Sequence, residues 1–282
     1  MKKKFFCICI FLGALISLQA QQDNRSNIDG WHLGIVGEGN IAQRMSVSPL
    51  TATPLSTIVP KAHPALGWKA GIEASYHFAH YFGFSVGIHF GSVSQMELGY
   101  VHNGAYEKPY ASFRDSRIQI PIKFEFHSRL GNSHFLFYSA IGVNVNNVVE
   151  AIATKADENR NQKLTGDKGT AGHDYCWTVT WLDEDDNMSF RSEIQDKHGH
   201  QVNASALFDL GFYYELPYGD LIRTGLAANL AFRDRFTGFY DSYDNGLHSN
   251  GALSYRHNTI GLEFSYIHCF RNKAQRERKT NK

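Results

Sequence analysis

Beyond its first twenty residues, this 282-residue sequence has no long continuous run of apolar residues. A helix needs about 20 such residues to cross a bilayer, so their absence excludes a helical inner-membrane protein. It does not exclude a β-barrel, because each spanning strand gives a much weaker apolar signal. The one apolar run, Phe5–Ile16, follows three lysines and precedes Ala20. This arrangement predicts a secretory signal peptide at residues 1–20 that is cleaved before Gln21.

A strong net charge and a cysteine framework are also missing. The sequence has 28 basic and 27 acidic residues, a formal charge of +1, and loss of the three signal-peptide lysines makes it −2. This balance gives no reason to expect a nucleic-acid partner. The processed chain keeps only Cys176 and Cys269, which the topology predicted below places too far apart for a disulfide. No phosphate-binding loop or thiol nucleophile motif is present, and we expect no cofactor.

What the sequence does contain is an alternation of apolar and polar residues with a period of two. In Leu66–Phe78, every even-numbered residue is apolar or aromatic, and every odd-numbered one is glycine, serine, histidine or charged. Successive side chains of a strand point to opposite faces, so this segment is predicted to be a strand with one apolar and one polar face. Eight segments follow the pattern, the first most faintly: Trp31–Val36, Leu66–Phe78, Phe82–Gly91, Arg117–Phe126, Phe135–Val145, Val202–Leu216, Leu221–Arg233 and Thr259–Phe270.

The connections between these segments alternate in length. Three short ones, at residues 79–81, 128–134 and 217–220, alternate with four long ones, at residues 41–65, 92–116, 146–201 and 236–258. An even strand count, with short turns on one side and long loops on the other, is typical of bacterial outer-membrane barrels. We therefore predict an all-β fold, an eight-stranded antiparallel transmembrane β-barrel with four long extracellular loops and short periplasmic turns.

The predicted barrel has a defined place in the chain. It occupies residues 30–270, between a periplasmic N-terminal segment at residues 21–29 and a basic periplasmic tail at residues 271–282. Its longest loop contains two strand-like runs, Tyr175–Trp181 and Met188–Ile194, which predict a hairpin that extends the barrel beyond the membrane. This loop is rich in acidic residues, which favours a cationic partner or divalent ions near lipopolysaccharide.

The polar face is predicted to line the lumen, and the apolar face to contact lipid. A basic residue facing the middle of a bilayer costs about 2–4 kcal/mol, so this orientation is favoured over the reverse. Aromatic pairs such as Phe82 and Phe84 mark the strand ends, as expected for the girdles at the membrane interfaces. Ten charged residues then lie in a lumen only wide enough for side chains and should pair into a plug. They are Lys69, Glu73, Arg117, Lys123, Glu125, Asp209, Glu215, Arg223, Arg233 and Glu263.

The last predicted strand carries a recognisable pattern. Its spacing is polar, any, glycine, two of any kind, apolar, any, aromatic, supplied by Thr259, Gly261, Phe264 and Tyr266. This pattern resembles the C-terminal signal that the barrel assembly machinery reads. The resemblance implies that the machinery is a partner during biogenesis.

A second resemblance lies in the fourth predicted strand. The segment Arg117–Phe124, with Pro121 at its centre, is similar to the corresponding strand of PorT-like outer-membrane barrels, and the region around Ala20 also looks like theirs. The likeness extends over Trp31–Phe270 and implies a small barrel of the OmpA/OmpX-like kind in a Gram-negative outer membrane. It implies a non-enzymatic role in surface interaction, membrane organisation or secretion, with outer-membrane lipid, lipopolysaccharide and a protein at the loops as partners. A barrel has no free edge, so we expect a local irregularity at Pro121.

Two other functional classes stay open. A lipid A deacylase or acyltransferase would need serine, histidine and a carboxylate near the outer rim, where Ser92, Ser94, His89 and His257 are predicted to lie. No spacing selects a triad, so we expect no catalytic residues. A small channel is the third class, and the predicted plug argues against it. Asp196–His200 has two histidines two residues apart but no assignable third ligand, and we expect no metal.

Overall fold

The structure is a computed structural model of the chain. It describes residues 28–42, 46–50, 58–64, 66–78, 81–102, 105–106, 111–131, 133–155, 162–166, 175–182, 188–196, 202–244 and 246–270. The predicted signal peptide and basic tail lie outside these residues. Among them, no helix is long and apolar enough to span a membrane.

Sixteen strands make up the described chain. They are β1 (Gly30–Ala42), β2 (Ser46–Pro49), β3 (Ile58–Pro64), β4 (Leu66–Phe78), β5 (Phe82–His102), β6 (Ala105–Tyr106), β7 (Ala111–Arg129), β8 (Phe135–Lys155), β9 (Gln162–Gly166), β10 (Tyr175–Leu182), β11 (Met188–Asp196), β12 (Asn203–Glu215), β13 (Leu221–Ala231), β14 (Asp234–Asp244), β15 (Leu247–Arg256) and β16 (Thr259–Phe270).

Eight of these strands close into an antiparallel barrel. Each pairs with two neighbours, in the order β1, β4, β5, β7, β8, β12, β13 and β16, and β16 returns to β1. All eight predicted segments are therefore confirmed as barrel strands. The main difference is in β1, which runs to Ala42 rather than ending at Val36. Its later half was missed because Gly37 and Gly39 occupy outward positions and interrupt the apolar alternation.

The long connections are mostly strands rather than loops, which corrects the predicted loop boundaries. β5 and β8 each contain 21 residues and continue well past the barrel at the end where the long connections lie, here called the long-loop end. A second, six-stranded sheet forms there in the order β2, β15, β14, β11, β10 and β9. The predicted hairpin is confirmed, because β10 and β11 pair antiparallel from Tyr175 with Asp196 to Leu182 with Met188. These strands pair with one another because the barrel strands that carry them stay side by side.

The expected irregularity at Pro121 is present on one side of β7. Pairing between β5 and β7 runs as far as Val86 with Ile122 and resumes in the same register at His89 with Gln119, so the irregularity is a gap of two pairs around Pro121 without a register shift. On the other side, Pro121 keeps its register with Asn144. Proline lacks the N–H that a ladder hydrogen bond requires, which accounts for the gap.

The two faces of the barrel have opposite polarity. Outward side chains of the barrel are mostly apolar and exposed, and inward ones are buried and, in the middle of the barrel, mostly polar or small. Aromatic side chains form contacts around the outer surface near the short-turn end, for example Trp31 with Tyr76 at 5.1 Å and Phe135 with Tyr214 at 5.0 Å between ring centroids. Near the other end of the apolar band, Trp68 lies 6.4 Å from Phe90. The prediction that the polar face lines the lumen is confirmed, and outward aromatic side chains lie near both ends of the apolar band.

Candidate functional site

Nine of the ten predicted lumen charges are buried inside the barrel. They are Lys69, Glu73, Arg117, Lys123, Glu125, Asp209, Glu215, Arg223 and Glu263. Arg233 is the exception and is exposed outside. The prediction for Arg233 was wrong because β13 ends at Ala231 and the chain bends at Phe232 and Arg233 before β14. In a bend, side chains no longer alternate between the lumen and the outer surface, so the period-two pattern does not place Arg233.

Lys123 holds the centre of the lumen. Its Nζ lies 2.7 Å from Glu73 Oε1, 3.0 Å from Asp209 Oδ2 and 3.8 Å from Glu263 Oε2. These three carboxylates come from β4, β12 and β16, whereas Lys123 is on β7. One ammonium group therefore links four of the eight barrel strands.

Arg223 forms a second bridge across the lumen. It is 2 % exposed, and its guanidinium lies 2.6 Å from Glu73 Oε2 and 2.7 Å from Glu263 Oε1. A third carboxylate, that of Glu125, is 3.7 Å away and accepts a 2.9 Å hydrogen bond from the Tyr213 hydroxyl. A buried arginine with several carboxylates is the arrangement that compensates the desolvation of each charge.

These contacts fill the cross-section of the barrel. β7 and β16 stand four places apart in the closed order of eight strands, which is the largest separation possible. The 3.8 Å approach of Lys123 to Glu263 therefore joins opposite walls. An eight-stranded barrel encloses a space just wide enough for side chains, and here the ionic cluster occupies it. The predicted pairing of lumen charges is confirmed at this level.

Two ion pairs extend this cluster toward the long-loop end, and each uses an acid that the sequence reasoning missed. Lys69 Nζ lies 2.6 Å from Glu38 Oε2, and the two residues are direct cross-strand partners in β1 and β4. Arg117 lies 2.5 Å from Asp115 on β7, just past a register shift between Ser116 and Arg117. Glu38 was missed because β1 was predicted to be too short, and Asp115 because it precedes the predicted strand.

Buried histidines are a further group in the lumen, and the sequence reasoning considered only His89 among them, as a rim residue. His77 lies 3.2 Å from Glu125, and His89 lies 3.2 Å from Glu73. The rings of His32 and His127 both contact that of His77 at a tilt, with ring centroids 4.5 and 4.7 Å away. His32, His77 and His89 fall on the predicted polar face, which was the available signal, whereas His127 lies one residue past the end of the predicted strand. Imidazoles can carry positive charge or accept hydrogen bonds, so they suit a lumen where acids outnumber lysine and arginine.

Apolar side chains close the lumen at the short-turn end. Leu136, Leu221, Ile267 and Cys269 point inward there and form one buried cluster with Ile28, which precedes the first strand. Ile28, two residues before β1, is therefore buried in the short-turn end of the barrel, although residues 21–29 were predicted to be a separate periplasmic segment.

The interior also turns apolar at the long-loop end, between the six-stranded sheet and the extended barrel strands. Trp177 lies at its centre, 5.6 Å from Phe113 and 5.6 Å from Phe236 between ring centroids. Phe190 and Tyr255 are also fully buried there. Burial of several large aromatic side chains contributes strongly to stability, so this part of the chain is a packed structure in its own right.

The side chains considered for catalysis have other partners. Ser92 is buried and accepts a 2.9 Å hydrogen bond from Arg114 Nε, and His89 belongs to the lumen cluster. His257 is buried near the start of β16, and the side chain of Ser94 lies outside the described set. Within the described residues no group of three or more histidine, cysteine, aspartate or glutamate side chains could hold a metal ion. Lys197–His200, the centre of the predicted metal candidate, lies outside those residues.

The predicted assembly signal lies on β16, next to the wall formed by β1 and β13. Phe264 and Tyr266 point outward, and Thr259 and Gly261 inward. The Tyr266 hydroxyl donates a 2.6 Å hydrogen bond to Asp220, which lies in the turn before β13. Burial by itself raises the pKa of Asp220, but this bond and those from the Cys269 N–H and His268 outweigh it and hold the pKa below its ordinary value. Recognition of this pattern by the assembly machinery stays a prediction.

Comparisons with known proteins find similarity only among solved structures. No protein-family model and no curated protein matches the chain. The outer membrane protein OprG from Pseudomonas aeruginosa aligns over 88% of this chain and 100% of its own, with 13% identity and a TM-score of 0.49. A major outer membrane protein from Thermus thermophilus aligns over 83% of this chain and 99% of its own, with 10% identity and a TM-score of 0.35. For AlkL in DMPC bilayers the coverages are 86% and 92%, the identity 9% and the TM-score 0.37. Likenesses this weak leave the chain's function to be argued from its own residues.

Proposed function

We propose that this protein is an integral outer-membrane β-barrel whose lumen is closed and whose work is done by the structure at its long-loop end, outside the cell. The observation that carries the proposal is the inverted polarity of the barrel. Ile72 is 54 % exposed on the outer face, whereas its neighbour Glu73 is 5 % exposed in the lumen. An apolar outer surface of this extent is stable only against lipid or another apolar surface.

The limits of the apolar band agree with the thickness of a bilayer. Along β13 and the first residue past its end, the outward residues run from Ile222 to Phe232, a span of 11 residues, which agrees with the 9–11 residues that a tilted strand needs to cross. Just past Phe232, Asp234 and Arg256 form an exposed ion pair at 2.9 Å. Exposed charges are costly in lipid, so the pair supports a membrane boundary at Phe232.

A closed lumen favours an anchoring role over a small channel. The middle is filled by ion pairs that join opposite walls, and both ends are covered by buried apolar side chains. The long-loop end instead presents a six-stranded sheet with a packed aromatic interior. We therefore propose a non-enzymatic role in contacts at the cell surface, and the secretion-supporting role implied by the PorT-like resemblance is one form of it.

The proposal is tested by comparing the wild type with a variant that lacks residues 157–196, which removes β9, β10 and β11. We expect the variant barrel to insert, because the strands removed pair only with the second sheet, and to lose surface cross-links to partners. Unchanged cross-links would contradict the surface role. Stable conductance steps in a planar bilayer would instead favour a channel. An altered lipid A acyl pattern in a deletion strain, restored by wild type but not by His89→Ala or His257→Ala, would favour an enzyme.

A further inference from the structure

We propose that the outward face of the six-stranded sheet binds a neutral sugar of the glycolipid that surrounds the barrel in the outer leaflet. This inference rests on the proposed outer-membrane location and gives the surface a ligand class. Its centre is Phe239 on β14, a middle strand of the sheet. Phe239 is 63 % exposed, although it lies beyond the apolar band, so lipid tails do not account for it.

The register places a shallow recess beside this ring. Ala252 on β15 is the direct partner of Phe239, and Ser48 on β2 is the direct partner of Ala252. Partners in register point to the same face, so the small methyl group of Ala252 forms a floor between the phenyl ring and the serine hydroxyl. Asn250 and Ser254 lie two residues to either side of Ala252 on that face. Neighbouring strands are about 4.8 Å apart, so β14 and β2 are about 9.6 Å apart across β15, which leaves room for one pyranose ring between the side chains of Phe239 and Ser48.

The chemistry around the recess matches that of a neutral sugar. One face of a pyranose carries C–H groups that pack against an aromatic ring, and its edge carries hydroxyls that need both donors and acceptors. Phe239 supplies the ring, and the hydroxyls of Ser48 and Ser254 and the amide of Asn250 supply the edge contacts. The phenyl ring would bury the apolar C–H face of the sugar, while the polar side chains beside it form hydrogen bonds with the sugar hydroxyls.

The described charged side chains around the recess are already paired with one another. Arg191 donates to Glu193, which is the other cross-strand partner of Phe239. His248 lies 3.1 Å from Asp241 and stacks on Tyr243 with ring centroids 4.7 Å apart. The charges of Arg191 and Glu193 cancel, and the carboxylate of Asp241 repels anions, so the face favours an uncharged ligand over a phosphate or an acidic protein.

The position of the face selects the source of the sugar. The face points away from the axis of the barrel. Phe239 is seven residues beyond Phe232, so it lies at most about 23 Å above the proposed edge of the apolar band. A lateral surface at this height faces the sugar headgroups of adjacent lipids. A protein partner would normally bury about 800 Å² of each surface around an apolar centre, and this face offers one exposed phenyl ring among polar groups.

The test uses the full chain in nanodiscs of phosphatidylcholine and the lipid-free core oligosaccharide released from lipopolysaccharide by mild acid. Saturation-transfer NMR should report sugar C–H protons in contact with the protein, and calorimetry should give a Kd. Ala252→Leu fills the recess and should abolish the NMR effect. Phe239→Ala should weaken binding by about tenfold, the factor expected for one aromatic contact. Leu247→Ala, an exposed apolar residue at the hairpin end of the sheet, is the matched control and should bind like the wild type.

The outcomes separate this inference from the proposed function. Absence of binding, or equal binding by the wild type and Ala252→Leu, overturns the inference. Binding of maltohexaose without binding of the core oligosaccharide overturns the assigned source. Insertion of the wild type into nanodiscs is measured before any sugar is added. Failure to insert would contradict the proposed membrane location itself.

Discussion

The ion pair between Lys69 and Glu38 offers the cleanest test of the closed, charged lumen. The two side chains face each other across β1 and β4, their charged atoms are 2.6 Å apart, and both are almost fully buried. Lys69→Met would leave the Glu38 carboxylate buried without its cation. Glu38→Leu would leave the Lys69 ammonium buried without its anion. Lys69→Met combined with Glu38→Leu removes both charges and keeps apolar volume in their place.

The expected magnitudes follow from the cost of an uncompensated buried charge. Removing one partner of a buried pair costs about 3–5 kcal/mol, whereas replacing both with apolar groups is often neutral or stabilising. Each single variant should therefore lose about 3–5 kcal/mol of unfolding free energy. The double variant should lie within about 2 kcal/mol of the wild type, so the two effects should be far from additive.

The assay is equilibrium unfolding by urea or guanidinium in lipid vesicles, with matched slopes across the four proteins. Additive losses in the double variant would refute the reasoning, because they would mean that the two side chains do not compensate each other. Single losses below about 1 kcal/mol would also refute it, since that is the range of solvent-exposed pairs. The lumen would then be hydrated and not packed by ion pairs.

Three further predictions use the same unfolding measurement. Arg223→Met should cost about 3–5 kcal/mol because it removes one of the two cations that Glu73 and Glu263 share and leaves buried negative charge in excess, whereas exposed Arg233→Met should cost less than about 0.5 kcal/mol; equal losses would contradict the burial of Arg223 and the exposure of Arg233. Gly91→Ala drives a Cβ into the backbone oxygen of Trp68 and should cost about 1–3 kcal/mol, whereas Gly39→Ala meets nothing within 4 Å and should be nearly neutral. The lowered pKa of Asp220 means that its contribution to stability is complete above about pH 4 and is lost as the pH falls further. Asp220→Asn should therefore reduce the fall of the unfolding free energy as the pH drops below about 4, and an unchanged pH dependence would contradict the proposed role of the Asp220 carboxylate.

The barrel itself could be predicted from the sequence because its signal is local. A period of two is present in every barrel strand, since an apolar outer surface and a polar lumen impose opposite demands on alternate residues. The signal failed where those demands end. Beyond Phe232 both faces become mixed in polarity, so Arg233 was assigned to the lumen and β14 and β15 were read as loop.

The partners within the lumen could not be predicted, because they depend on three-dimensional register. The sequence shows that Lys123 and Glu263 share the polar face, but only barrel closure brings strands 140 residues apart in the chain to opposite sides of one ion pair. The recess beside Phe239 depends in the same way on the alignment of β2, β15 and β14. Short strands such as β2 give no periodic signal long enough to set that alignment.

The central claim is that hydrocarbon contacts the outer face of the barrel between two polar ends. Nitroxide labels at exposed positions test it directly, by comparing collisions with oxygen, which concentrates in lipid, and with a water-soluble nickel complex. Labels at Ile72 and Leu230 should collide with oxygen, whereas labels at Tyr218 in a short turn and Phe239 in the outer sheet should collide with nickel. Nickel access at Ile72 and Leu230 equal to that at Tyr218 would contradict the account.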